Sequence, residues 1–323
     1  MSIRRWWPVA IATLLTAANA HAAEKLTFLT SWKAQAEHGG YYQALAKGYY
    51  QACGIDLNIR QGGPAIDGKQ LFVAGAVDMM MASFSDTAFQ VNEAGFAAKA
   101  VMSSFQKSPQ ILMTHAGNGI EKMEDMRGKP VMLSASSRTS FWPFLRNKFG
   151  FTDAQLRAYT GQLAPWLLDP TGIQQGLLTN EPFRVQAESG KTPKPFLLAD
   201  YGYEAYSSVV IASKKLIDEK PQLVQCFVSS TRKGWEEFFV DPKPAVALIK
   251  QNNPENSDEL IAYSIRTMKS AGIVETADTA KGGIGTMTDA RWKSHFDMLA
   301  SAGLISKTLD YKSAYTLQFV NAK

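Results

Sequence analysis

Short apolar runs and three-to-four-residue apolar repeats alternate along the first hundred positions of this chain. Lys25–Ser31 carries Leu26, Phe28 and Leu29 in a short run and predicts a strand. Over Ala36–Cys53, Tyr41, Tyr42, Leu45, Ala46, Tyr49, Tyr50 and Cys53 recur at helical steps and predict one amphipathic helix. Gly54 ends it at the position that favours a left-handed residue. Ile55–Arg60 alternates apolar with polar and predicts the next strand. Gly62-Gly63-Pro64 predicts a turn, followed by a helix to about Ala74. Val77–Ala82 is nearly all apolar, as in a strand covered on both faces. Ser83–Asp86 then leads into a helix over Thr87–Ala94. Strand and helix in strict alternation predict a parallel sheet with crossover helices. Ligands in such sheets sit beyond the carboxyl ends of the strands. That brings together the loops Ser31–Gly40, Gln61–Ala65 and Ser83–Thr87.

The middle of the chain reads differently. Ala100–Ser104 and Ile111–His115 predict strands leaving the first lobe, and Met123–Lys129 a charged connection. Pro130–Ser134 starts a new strand, and Ser136–Thr139 opens a helix to Phe149. Ile173–Thr179 and Asn180-Glu181-Pro182 follow an irregular stretch. Phe196–Ala199 is a further strand, ending in Asp200–Tyr203, and Ser207–Ala212 is a return strand. Helical periodicity fills Pro221–Val240, Pro242–Gln251, Ser257–Ala271 and Asp289–Ala302. The simplest topology inserts a second α/β lobe, residues 116–206, into a first made of 23–115 and 207–323. Two chain crossings between lobes leave a cleft that can close by a hinge.

The N-terminus changes the picture of where this happens. Met1–Arg5 is a short basic segment, an apolar run extends from Trp6 to about Thr16, and small residues follow through Ala23. This is the layout of a secretory signal peptide, residues 1–22, cleaved after Ala20 or Ala22. The run is too short for a bilayer span of roughly 20 residues. Its removal takes Arg4 and Arg5, so the formal charge of +5 falls to +3. Positive and negative residues are interspersed, which argues against a nucleic-acid partner. Cys53 and Cys226 could pair in an oxidising compartment, but at 173 positions apart they are expected as buried free thiols. The histidines are isolated, with no HxxxH or CxxC spacing, so neither metal nor cofactor is expected. GxSxG, Walker and GxGxxG signatures are absent, so no catalytic residues are assigned.

Several segments, in order, carry a family resemblance. They are Ala36-Glu37-His38-Gly39-Gly40-Tyr41-Tyr42-Gln43, Lys47-Gly48-Tyr49-Tyr50, Gly62-Gly63-Pro64, Gly75-Ala76-Val77-Asp78, the Ser83–Asp86 turn and Gly128-Lys129. Over about residues 25–320 the chain resembles the periplasmic substrate-binding proteins of ABC importers for nitrate, sulfonate and taurine. It is most similar to their thiamine-pyrimidine-synthase-like branch, which includes binders of thiamine pyrimidine precursors. The resemblance implies a type II periplasmic-binding fold, two Rossmann-like α/β lobes on a two-crossing hinge. It further implies a monomer in the periplasm that delivers a small solute to a permease and ATPase complex. An organic-anion ligand is the alternative within the class; a sensor input is an alternative use of the same module. The branch also contains a eukaryotic pyrimidine synthase, which uses its own histidine and pyridoxal phosphate and carries a cysteine-rich iron motif. This chain lacks that cysteine cluster, so it is not read as an enzyme.

The expected ligand residues follow from these placements. Trp32 ends the first strand and offers an indole face for stacking. Glu37, His38, Gly39 and Gly40 open the first helix, where free N–H groups and a close backbone approach are available; family position turns His38 to the cleft. Tyr41, one turn in, suits the ligand or the core. Ser83 and Ser85 suit a polar edge or ordinary N-capping. Ser137 and Arg138 open the second lobe's first helix, and Trp142 lies one turn on; an inward Arg138 would hold an anion. Glu181 and Asp200 would pair with an amine or aminopyrimidine, and Tyr203 brings a ring near the hinge.

Overall fold

The computed structural model describes residues 23–321. The expected signal peptide lies outside these residues. Ten strands form two five-stranded sheets. The first contains β1 (Glu24–Leu29), β2 (Ile55–Arg60), β3 (Met79–Phe84), β4 (Ala98–Phe105) and β10 (Ser207–Ser213), in the order β2-β1-β3-β10-β4. The second contains β5 (Gln110–His115), β6 (Val131–Leu133), β7 (Leu156–Ala158), β8 (Ile173–Leu177) and β9 (Pro193–Leu197), in the order β7-β6-β8-β5-β9. In each sheet four strands run in one direction, and the single antiparallel strand has arrived from the other lobe. These incoming strands are β10, between β3 and β4, and β5, between β8 and β9.

Ile111–His115 therefore does not leave the first lobe. It is an interior strand of the second sheet, so the first crossing lies between Phe105 and Gln110. Ile111, Leu112 and Met113 are apolar and buried, a pattern that names a central strand without saying which sheet owns it. The third strand is also displaced, to Met79–Phe84, because the Asp78 carboxylate is used as a cap and accepts from Thr27 N–H at 2.7 Å.

The expected helix over Ala36–Cys53 is broken. A 3₁₀ turn (Ala36–His38) leads into Gly39–Ala46, and Gly48, at φ 70°, separates a last turn at Tyr49–Ala52. Only glycine takes that left-handed conformation without a side-chain penalty. The helix to Phe149 is likewise split, at Ser140. The four long helices after Pro221 fall within a residue or two of their expected bounds.

The first core lies between the first sheet and helices Gly39–Ala46 and Pro221–Phe238. Phe28, Tyr41, Phe227 and Trp235 pack there in tilted and edge-on contacts, fully buried. Burying such a side chain stabilises by about 1.5–3 kcal/mol. The helices approach so closely that a Cβ on Gly234 would stand 2.1 Å from the Gly40 carbonyl oxygen. The cysteines are not free: Cys53 and Cys226 form a disulfide with Cα atoms 6.0 Å apart, at an exposed and a half-buried position. The long sequence separation hid this proximity, which the helix pairing creates.

Candidate ligand-binding site

The carboxyl ends of β1, β3, β6 and β8 and the starts of β5 and β10 converge on a cleft between the lobes. Its central chamber is about 700 Å³, open mouth included. Of the expected residues, Trp32, His38, Ser83, Ser137 and Glu181 line it. Trp32 comes from the first lobe and Tyr159 from the second. Their rings face each other at 6.2 Å between centroids, with planes 11° apart.

Beneath the rings sits a buried acidic pair. Glu37 Oε1 accepts from the Thr179 hydroxyl across the lobes, while its Oε2 has no partner among the described residues. Burial pushes Glu37 up to about 7 against the Thr179 bond, and the Glu181 charge adds to the rise. Glu181 is also raised by burial, although Leu177 N–H donates to its Oε2 at 2.6 Å and the Tyr159 hydroxyl to its Oε1 at 3.2 Å. His38 is fully buried, and neither ring nitrogen finds a partner. Burial lowers it to about 3, so the imidazole is neutral and offers one donor and one acceptor. Among the described residues, no lysine or arginine lines the central chamber.

The remaining candidates stand elsewhere. A Cβ on Gly39 would meet the Phe238 ring at 2.3 Å, so the glycine serves helix packing rather than a ligand. Tyr41 is in the first core, its hydroxyl 3.0 Å from Ser104 Oγ. Ser85 is buried and accepts from Tyr206 N–H. Arg138 is half-buried and does not line the central chamber. Trp142 is in the second core and donates to Asp153 at 2.8 Å. Asp200 is exposed and paired with Lys107 at 2.9 Å. Tyr203 is buried behind the cleft, its hydroxyl donating to Asp86 at 3.2 Å. In each case the sequence placed the residue near a strand end or a helix start without fixing the direction of its side chain.

Other lining residues were not singled out from the sequence. Tyr159 follows the three-residue strand β7, too short to register. Gln110 opens β5 and Gln175 is the middle residue of β8, both buried polar positions at the cleft. Ser207 and Ser208 open β10, and Ser208 holds φ 52°, a strained conformation for a residue with a side chain.

Further contacts bind the lobes. Ser264 Oγ donates to Thr179 O at 2.6 Å and the Tyr263 hydroxyl to Leu178 O at 3.1 Å. Elsewhere, Gln90 Nε2 donates to Thr139 O at 2.9 Å.

Two sheets of this order around an interlobe cleft define the periplasmic-binding-protein fold. The protein resembles the aliphatic sulphonate-binding protein SsuA of Escherichia coli (TM-score 0.66, 11% identity, 91% of this chain and 92% of that one). A Bordetella bronchiseptica RB50 protein superimposes at TM-score 0.70 with 15% identity, over 92% and 95% of the two chains. The chain belongs to the NMT1/THI5-like family, whose profile matches residues 35–245. It is 25% identical to the riboflavin-binding protein RibY of Chloroflexus aurantiacus, over 97% of this chain and 91% of that protein. It is 24% identical to a 4-amino-5-hydroxymethyl-2-methylpyrimidine phosphate synthase of Candida albicans, over 70% of each.

Proposed function

We propose that this protein is the exported, periplasmic solute-binding component of an ABC importer, and that it closes over a small planar nitrogen heterocycle. The observation that carries this is the near-parallel Trp32–Tyr159 pair, one ring from each lobe. Aromatic contacts of about 3.5 Å on each face need roughly 7 Å. Admitting a ring therefore parts the pair by about an ångström, a small motion for a hinge. Below the ring, Glu37 Oε2 and the two nitrogens of His38 offer unpaired groups to a ring edge carrying both donors and acceptors. Glu181 holds Tyr159 in place and lies beside this edge. The curated relatives support the same class, since riboflavin and an aminopyrimidine are both planar nitrogen rings.

An organic anion fits less well. Two carboxyl groups and no cation line the central chamber, and burying a sulfonate beside them would cost several kcal/mol without a compensating charge. A synthase reading has a relative behind it but is the weaker one. The chamber has no lysine for an imine with an aldehyde cofactor, and the two cysteines are paired with each other.

The test is mass spectrometry of ligand released from natively purified protein, followed by calorimetric titration. The panel is 4-amino-5-hydroxymethyl-2-methylpyrimidine, riboflavin, taurine and an alkanesulfonate. Saturable binding of a heterocycle supports the proposal; binding of the sulfonates alone overturns it.

A further inference from the structure

A second chamber adjoins the first, and Ser31, Met81, Ser83, Phe84 and Ser136 line both. It is about 930 Å³ including its mouth. Its character differs from that of the ring site. It has no aromatic pair and no buried acid with an unsatisfied oxygen. Leu29, Met80 and Ala82 give it an apolar floor, and Thr87, Thr139 and Ser140 contribute hydroxyls above it. At one side stands Lys69, half-buried and without an ion pair; its Nζ donates to Gln90 Oε1 at 2.9 Å. Gln90 in turn donates to Thr139 O in the other lobe at 2.9 Å. The lysine is thus anchored by a relay that spans the lobes and leaves its remaining N–H groups available.

A flat ring clamped in the central chamber cannot use these groups. A flexible chain of hydroxylated carbons can, with its C–H face on the methionine floor and its hydroxyls toward the threonines and Lys69. A phosphate would demand more donors than one lysine supplies. We infer that the solute is a ring bearing a polyhydroxylated arm, and that the arm lies in the second chamber against Lys69, Gln90 and Thr139. This inference rests on the ring reading above and extends it.

The experiment uses ring-matched pairs, lumiflavin against riboflavin and cytosine against cytidine, titrated calorimetrically into the mature protein. In a pair whose ring binds, the armed member is expected to bind about tenfold tighter or more, the worth of a hydrogen bond to a charged donor. Lys69→Met should shrink that ratio toward one while leaving the bare ring's affinity unchanged, which also shows that the variant folds. Thr139→Val should shrink it in the same direction. If bare rings bind but the arm adds nothing, or Lys69→Met leaves the ratio intact, the second chamber is no subsite and the ring reading stands alone. If no ring binds, bare or armed, the ring reading falls and takes this inference with it.

Discussion

Trp32 and Tyr159 lie nearly parallel across the cleft, yet they follow strands of different sheets and are 127 positions apart in sequence, the difference of their numbers. Neither lobe can stack both faces of a ring by itself. On the proposed reading, stacking on two faces exists only when the lobes are closed, so the pair would couple ligand affinity to closure. Trp32→Ala or Tyr159→Ala is expected to weaken binding of the heterocycle by about 1–3 kcal/mol each, the range for base–aromatic stacking. Titration calorimetry reads this. Full affinity in both variants would remove the clamp from the account.

Glu37 and Arg138 separate the two ligand classes. Glu37 presents an unpaired oxygen in the central chamber, and Arg138 is outside it. Glu37→Gln is expected to lower heterocycle affinity by about 0.5–1.5 kcal/mol, the net worth of a hydrogen bond, since burial favours the neutral carboxyl. Arg138→Ala is expected to leave it unchanged. The reverse outcome would point to an anion.

Glu37 also makes stability depend on pH. Its carboxyl titrates near 7 when folded and near 4.5 when unfolded. Between those values the folded state holds the proton more tightly. The stabilising contribution is thus complete below about pH 4.5 and is lost as pH rises through 7. Glu37→Gln stays neutral throughout. Denaturant melts of the ligand-free proteins should diverge with pH, the variant gaining on the order of 2–3 kcal/mol over wild type by pH 8. Parallel pH profiles would contradict the buried, protonated carboxyl.

The Cys53–Cys226 bridge ties the turn after the first helix to the Pro221–Phe238 helix. It closes a loop with a sequence separation of 173 residues. Reduction, or Cys226→Ser, is expected to cost about 2–4 kcal/mol. Melting with and without dithiothreitol measures it. Equal midpoints, with the bridge verified by mass, would show that the fold does not depend on it.

Gly234 allows the same helix to touch the first. An added methyl meets the Gly40 carbonyl oxygen at 2.1 Å and the Ala44 Cβ at 2.8 Å. Gly234→Ala gains at most about 1 kcal/mol of helix propensity. Overpacking against backbone costs about 1–3 kcal/mol or more. Net destabilisation in a urea melt is expected, and a more stable variant would refute this packing.

The fold was largely legible because buried strands and amphipathic helices write their period into the sequence. β1, β2 and the four late helices sit close to where that period put them. Period alone could not assign Ile111–His115 to its sheet, because a strand covered on both faces looks alike in either lobe. The site was half legible for a related reason. Strand ends and helix starts identified Trp32, His38, Ser83, Ser137 and Glu181 as neighbours of the cleft. The same rule swept in Tyr41, Trp142 and Tyr203, whose side chains turn into the cores. Tyr159 was invisible, since its position depends on a short edge strand and on the opposite lobe.

The incoming strands carry one more consequence. β10 lies beside β4 in one sheet and β5 beside β9 in the other, so both passages of the chain run next to each other. Two adjacent strands act as one short axle, and the lobes are its levers. Rotation about such an axle is geared: a slight twist of the backbone at 106–109 and 198–206 becomes a larger sweep at the edges of the lobes. If a ring parts Trp32 and Tyr159 as proposed, a shift of about an ångström there would be enlarged into a larger change of outline at the lobe edges.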